Sequence, residues 1–157
     1  MIDFKEIFHI GIRVPNIEAA MEEMGESLNV TWAELVENPS QSLWTPDDGQ
    51  QNISLKFVYS REGDQHLELL EGQPGSFWDG NEKPGVHHFG VWVDDVKVET
   101  ERLLGLDWEL LGAAKSPAEG FGNMTYIAPS NGTILELVAS INKPRFKRWW
   151  GGGSFYD

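Results

Sequence analysis

The sequence predicts an α+β fold in which two βαβββ modules form one curved eight-stranded mixed sheet around a central cavity. Three observations carry that expectation. Phe8-His9-Ile10-Gly11-Ile12-Arg13-Val14 and His87-His88-Phe89-Gly90-Val91-Trp92-Val93 are two copies of one strand motif, displaced by 79 residues. Each copy runs into a helix-capping residue followed by apolar residues at helical spacing. Each half then ends on a strand in which a glutamate sits between leucines, Leu67-Glu68-Leu69 in the first and Leu135-Glu136-Leu137 in the second.

Residues 6–14 alternate as a strand, with Phe8, Ile10, Ile12 and Val14 on one face and His9, Gly11 and Arg13 on the other. Pro15-Asn16 ends it. Ile17, Ala20, Met21, Met24 and Leu28 predict an amphipathic helix over residues 17–28 that lies on the Ile/Val face. A short strand at 31–37 follows, then a polar loop at 38–51 rich in Pro, Asp, Gly and Gln. A hairpin closes the first module: Asn52 to Tyr59, a turn at Arg61-Glu62-Gly63-Asp64, and Gln65 to Leu70.

Residues 72–85 carry Gly and Pro without a period and read as a linker between module one (6–71) and module two (86–140). The second module repeats the order of the first. Its strand is His88 to Val93, its N-cap Asp95, and its helix stripe Val96, Thr100, Leu103 and Leu104. Trp108 to Leu111 is the short strand, Ala113 to Gly122 the loop, and Asn123 to Ala128 and Thr133 to Ala139 the closing hairpin around Pro129-Ser130-Asn131-Gly132. Residues 1–140 are thus expected to be one domain. Helices on the outer faces leave a shared concave face between the modules, toward which His9 and His88 point.

Bulk composition narrows the function. The chain has 157 residues, 40% of them hydrophobic and 24% charged, as in a globular domain. Apolar runs are too short to span a bilayer and the acidic N-terminus lacks a signal peptide's character, so a cytoplasmic location is expected, with no membrane partner. The Asn-x-Ser/Thr triplets at Asn29, Asn52, Asn123 and Asn131 then read as chance matches. Without cysteine, a metal would be held by His, Asp or Glu. A net charge of -13 argues against nucleic acid, whose phosphates need clustered Lys and Arg. The tail, 141–157, runs against that charge with Lys143, Arg145, Lys147 and Arg148 against one acid.

Alternation puts Glu68 on the same face as His66 and Leu70, and Glu136 on the face opposite Leu135 and Leu137. A carboxylate on an inner face needs a partner, because an unpaired buried charge is costly. A metal ion bound by His9, Glu68, His88 and Glu136 would supply one. A single strand histidine is more often a hydrogen-bonded neighbour; four such residues at equivalent places in two repeats point to a metal instead. Imidazole and carboxylate suit Zn, Ni, Co, Mn or Fe, and open positions would make the site catalytic. By the same alternation His87 is expected on the opposite face, and His66 as a satisfied neighbour that could line the site.

The FHIGIRV and HHFGVWVDD strands, with HLELLEG and PSNGTILELV, resemble the vicinal oxygen chelate superfamily, which includes glyoxalase I, methylmalonyl-CoA epimerase, extradiol dioxygenases and bleomycin-resistance proteins. The resemblance covers about residues 6–140. It implies that the family's metal ligands fall on His9, Glu68, His88 and Glu136. It further implies an isomerase, epimerase or lyase that moves a proton next to a carbonyl through a metal-chelated enediolate, with Glu136, then Glu68, as general base. The substrate implied is a small carbonyl compound or thioester. Two alternatives stand beside this. An extradiol-type ring-cleaving dioxygenase uses only a two-His-one-carboxylate triad, so Glu68 counts against it; Tyr126 stands where those enzymes place a catalytic tyrosine. A non-catalytic binding or resistance protein is the other, and that branch generally lacks the quartet.

Aromatic residues are the candidates for shaping the pocket. Trp92 shares the His88 face, Trp44 and Phe121 sit in corresponding loops that could close the cavity, and Tyr126 lies on the last hairpin. The Trp149-Trp150 pair predicts that the tail docks on an apolar surface. The tail's basic residues could instead reach a phosphate-bearing group, or lie along the acidic body of a partner subunit in a homodimer.

Overall fold

A computed structural model describes residues 1–156; the tail's one acid, Asp157, lies outside them. In chain order the strands are β1 (Ile7–Arg13), β2 (Val36–Thr45), β3 (Gly49–Tyr59), β4 (His66–Gly72), β5 (Gly85–Val93), β6 (Glu109–Ala113), β7 (Met124–Ala128) and β8 (Leu135–Ala139). The helices are α1 (Ile17–Leu28), α2 (Val96–Leu104) and α3 (Lys143–Trp150), with short 3-10 turns at Phe4–Glu6, Pro117–Glu119 and Ser140–Asn142. The eight strands close into a barrel in the order β1-β4-β3-β2-β6-β7-β8-β5. Within each module the first and last strands pair in parallel, β1 with β4 and β5 with β8. The modules meet through antiparallel β1 and β5, and the ring closes at Trp44 and Ala113 between β2 and β6.

The two outer helices form where the caps place them. Asn16 Oδ1 accepts from the Ala19 amide at 2.8 Å, and Asp95 Oδ1 from the Val98 amide at 3.0 Å, satisfying amides that a helix start leaves unpaired. Ile17, Ala20, Met21 and Met24 of α1 pack on Val14, Val58 and Leu69. Val96 and Leu103 of α2 pack on Val91, Val93, Ile127 and Leu137. A third, interior cluster fills the barrel with Val36, Leu43, Ile53, Leu55, Phe57, Tyr59, Leu70, Met124, Tyr126 and Val138. Period-two alternation therefore sorts each strand into an outward helix-facing set and an inward set.

Three expectations need correction. The strand expected at 31–37 and the loop at 38–51 change places: Trp32 makes only an isolated bridge to Ser60, while Val36–Thr45 is a full strand paired along β3. Its polar residues mislead because one face is solvent-exposed and a bulge interrupts the register between Asn38 and Gln41, next to Pro39. The bulge loops on its own side chains, Asn38 donating to Gln41 at 2.9 Å and accepting from the Ser40 amide at 3.0 Å. The reversal into β3 is a turn ending on Gly49, whose φ of 69° suits a residue without Cβ.

The second correction concerns Phe8, expected under the helix. A register shift between Ile7 and His9 inserts one extra residue against β5, and Phe8 joins the interior, stacked on Trp92 with ring centroids 3.8 Å apart. The third concerns His87, expected to point away from His88. A matching shift between Gly11 and Ile12 makes β5 the bulged strand, and the His87 ring turns inward against Phe77 and Tyr126. Alternation is broken in both strands of the motif, each time beside the histidine at its centre.

The stretch at 72–85 lacks regular structure yet is tied to the barrel. Trp78 is fully buried in the interior cluster and donates its indole N–H to the Tyr126 hydroxyl at 3.2 Å. Gly80 lies against the Val14 backbone so closely that a Cβ would fall 2.2 Å from the Val14 carbonyl oxygen. The tail folds back over the barrel as α3 and the turns that follow it, where Phe146, Trp149 and Phe155 complete the interior cluster. The Trp149 indole donates to the Glu34 carbonyl at 2.9 Å.

Candidate metal centre

Strands β1, β4, β5 and β8 run side by side on the wall of the barrel, and each contributes one residue to a single cluster. His9, Glu68, His88 and Glu136 each offer a ligand atom, and those atoms all lie within 4.8 Å of one another. Both histidines are 0% exposed, Glu68 7% and Glu136 8%. The two imidazole Nε2 atoms are 2.9 Å apart. Glu136 Oε2 lies 3.0 Å from His9 Nε2 and 2.9 Å from His88 Nε2; Glu68 Oε2 lies 3.2 Å and 3.0 Å from the same atoms.

The chemistry of this donor set fits a cation. Two buried carboxylates side by side repel one another and carry a large desolvation penalty. Burial disfavours the charged form of His9, yet Glu68 and Glu136 outweigh it and push its pKa up to about 9. His88 is raised in the same way, burial being outweighed by Glu136 and Glu68. Burial raises both glutamates, but the imidazoles more than reverse it and hold them below the ordinary carboxylate range. The cluster thus demands positive charge at its centre, which protons on imidazole or a divalent ion would provide.

A second layer fixes the rings. His9 Nδ1 lies 3.2 Å from the Tyr59 hydroxyl, and His88 Nδ1 lies 2.9 Å from His87 Nδ1. Burial first, then the charges of His88 and Arg13, lowers the His87 pKa to about 3, so its ring is neutral. A neutral His87 can accept through Nδ1, which leaves the proton of His88 on Nδ1 and its Nε2 lone pair for the cluster. Tyr59 can play the same part for His9. Partners of this kind set the tautomer and orientation of metal-binding imidazoles. Neither Tyr59 nor the bulge that turns His87 inward was legible from motif spacing. Burial and the nearby carboxylates push the Tyr59 and Tyr126 phenols well above their usual range, so both stay protonated.

The remaining candidates separate. Tyr126 lines an interior cavity of about 290 Å³ together with Glu68 and Glu136. Trp92 does not; it lines another cleft of about 490 Å³ with Phe8, His66, Trp150, Lys5 and Lys147. Phe121 belongs to the cluster under α2, and Trp44 sits on β2 at the barrel seam, so neither loop aromatic closes the cavity. His66 stands outside the quartet, its Nδ1–H donating to the Ser60 carbonyl at 2.6 Å while its ring stacks on Trp150 at 3.7 Å. Closure of the cavity falls to the tail, which contributes Asn142, Arg145, Phe146, Phe155 and Tyr156 to its lining.

Residues 8–128 match the family model of the glyoxalase/bleomycin resistance protein/dioxygenase superfamily, and the chain belongs to that family. Among solved structures, it is similar to a hypothetical protein from Bacillus halodurans C-125, at 18% identity and a TM-score of 0.62 over 85% of this chain and 93% of that one. It is similar also to a variant methylmalonyl-CoA epimerase from Streptomyces coelicolor in complex with 2-nitronate-propionyl-CoA, at 20% identity and a TM-score of 0.61 over 86% and 94%. The Mycobacterium tuberculosis methylmalonyl-CoA epimerase aligns at 16% identity and a TM-score of 0.59 over 88% and 92%. At these identities the likeness is one of fold. No curated protein matches the chain by sequence.

Proposed function

We propose that the chain is a divalent-metal-dependent isomerase, epimerase or lyase that transfers a proton at a carbon next to a carbonyl. The observation that carries this reading is the convergence of two imidazole nitrogens and two carboxylate oxygens on one buried point beside a cavity. His9, Glu68, His88 and Glu136 would hold the ion, of the Zn, Ni, Co, Mn or Fe class. When bound, the metal supplies Lewis acidity, drawing charge from a substrate carbonyl and so acidifying the neighbouring C–H.

The chain's own residues do the rest. Glu136 faces Tyr126 across the β7–β8 pair and, with Glu68, borders the cavity, so either carboxylate can reach a substrate proton there. Glu136 is the first choice of general base and Glu68 the second. Tyr59 and His87 hold the imidazoles in place, and the apolar walls of Leu55, Phe57, Met124 and Phe146 keep the site dry, which strengthens every electrostatic term in it. The likeness of fold to methylmalonyl-CoA epimerases supports a small acyl thioester or carbonyl compound as substrate. Two carboxylates in the quartet favour Lewis-acid chemistry over the triad of the ring-cleaving dioxygenases.

Metal analysis of the purified chain followed by solvent deuterium exchange into candidate carbonyl substrates tests this. Stoichiometric divalent metal, exchange at the carbon next to the carbonyl, and loss of exchange but not of metal in Glu136→Gln are the expected results. Absence of exchange with every candidate by metal-loaded protein defeats the proton-transfer reading.

A further inference from the structure

The cavity beside the cluster contains a cation that no carboxylate among the described residues pairs with. Arg145 projects from α3 into the lining, with its guanidinium carbon 4.5 Å from the ring centroid of Phe155 and 6.0 Å from that of Phe146. Its Nε is buried and, among the described residues, has no hydrogen-bond partner. None of the ion pairs between described residues includes it, whereas nearby Lys143 pairs with Glu6 and Arg61 donates to the Trp150 carbonyl. A guanidinium lying over aromatic rings uses its face for that contact, which leaves the N–H groups of its edge for hydrogen bonds. A buried polar nitrogen without a partner is costly, so such an edge is built to receive something.

The rest of the lining indicates what. Asn123 and Asn142 border the same cavity with neutral amides, which can supplement an arginine on a planar oxyanion. Among anions, a carboxylate matches the fork of a guanidinium in plane and spacing. At about 290 Å³ the cavity is at the small end of ligand pockets, with room for a small acyl fragment.

We propose that Arg145 is a carboxylate subsite: the substrate presents its reacting oxygens to the His9, Glu68, His88 and Glu136 cluster and a separate carboxylate group to Arg145. The inference rests on the metal-centred reading above for the first half and on Arg145 alone for the second. Arg145 lies beyond the residues 8–128 that match the family, so this selectivity would belong to the tail of this chain.

Calorimetric titration of the full, metal-loaded chain with 2-oxoglutarate and 2-oxopentanoate isolates the subsite, because the two acids share the same vicinal oxygens and differ in the distal carboxylate. We expect 2-oxoglutarate to bind about tenfold more tightly or better, the worth of one charge-assisted hydrogen-bonded pair. Arg145→Met should abolish the preference while leaving metal content unchanged, and Arg145→Lys should retain part of it. Equal binding of the two acids by the wild-type chain, or a preference that survives in Arg145→Met, overturns the proposal and leaves the metal reading standing. A chain that takes up no metal defeats the metal reading instead. Arg145 is then judged on metal-free protein, where butanoate must bind about tenfold more tightly than butanamide; equal binding overturns the subsite.

Discussion

Gly90 is the cross-strand partner of His9, and a Cβ at Gly90 would lie 1.8 Å from the imidazole Cε1. The relation is reciprocal. Gly11 pairs with His88, and a Cβ there would lie 2.1 Å from the Cε1 of that ring. The His-x-Gly spacing of both motifs thus has a physical meaning: each repeat supplies one ring and the bare backbone over which the other repeat's ring lies. Gly90→Ala and Gly11→Ala should displace one imidazole each, cost about 1–3 kcal/mol as overpacking, and lower the bound metal. Metal analysis with thermal unfolding checks this; full metal content in either variant would show that the close approach is incidental.

Removal of any one imidazole should empty the cluster of cation. His9→Ala and His88→Ala are each expected to lose stoichiometric metal, measured by elemental analysis after gel filtration. Chelation of the wild-type chain should lower its thermal midpoint, because an ion that binds only the folded state stabilises it by about 4 kcal/mol at a thousand times its Kd. Metal content that survives His88→Ala would place the ion elsewhere.

The residues behind the rings should tune affinity without setting stoichiometry. His87→Phe removes the group 2.9 Å from His88 Nδ1, and Tyr59→Phe the hydroxyl 3.2 Å from His9 Nδ1. Each is expected to weaken metal binding about 10–100-fold while saturation at high metal still reaches the wild-type level. Competition with a chromophoric chelator measures the difference. Unchanged affinity in both would mean that packing alone holds the rings.

What the sequence made legible follows from how local each signal is. The repeat placed the four cluster residues on four strands because period-two alternation around Glu68 and Glu136 survives in the fold, with Leu69 and Leu137 outward beneath the helices. Caps at Asn16 and Asp95 were readable for the same reason: they act within one turn. Alternation failed at Phe8 and His87, where a bulge adds a residue that only the facing strand reveals. β2 was hidden by its polar, solvent-facing side and by Pro39. The positions of Trp92, Phe121 and Trp44 relative to the cavity depend on barrel closure, a contact between β2 and β6 that no local pattern encodes.

The tail offers the last test, since its aromatic residues occupy the interior that eight strands alone would leave open. Trp149 is 0% exposed, packs edge-on against Phe57 and Phe155, and ties its indole N–H to Glu34. Trp149→Ala is therefore expected to cost about 3–5 kcal/mol, the usual loss for a large buried aromatic. Truncation after Ser140 removes Phe146, Trp149 and Phe155 together and should uncover the apolar walls of the cavity, lowering the denaturation midpoint further and raising binding of a hydrophobic dye. Chemical denaturation followed by tryptophan fluorescence separates the outcomes. A truncated chain as stable as the full one would mean that α3 rests on the barrel without contributing to it, because a surface that contributes must cost free energy when it is exposed to water.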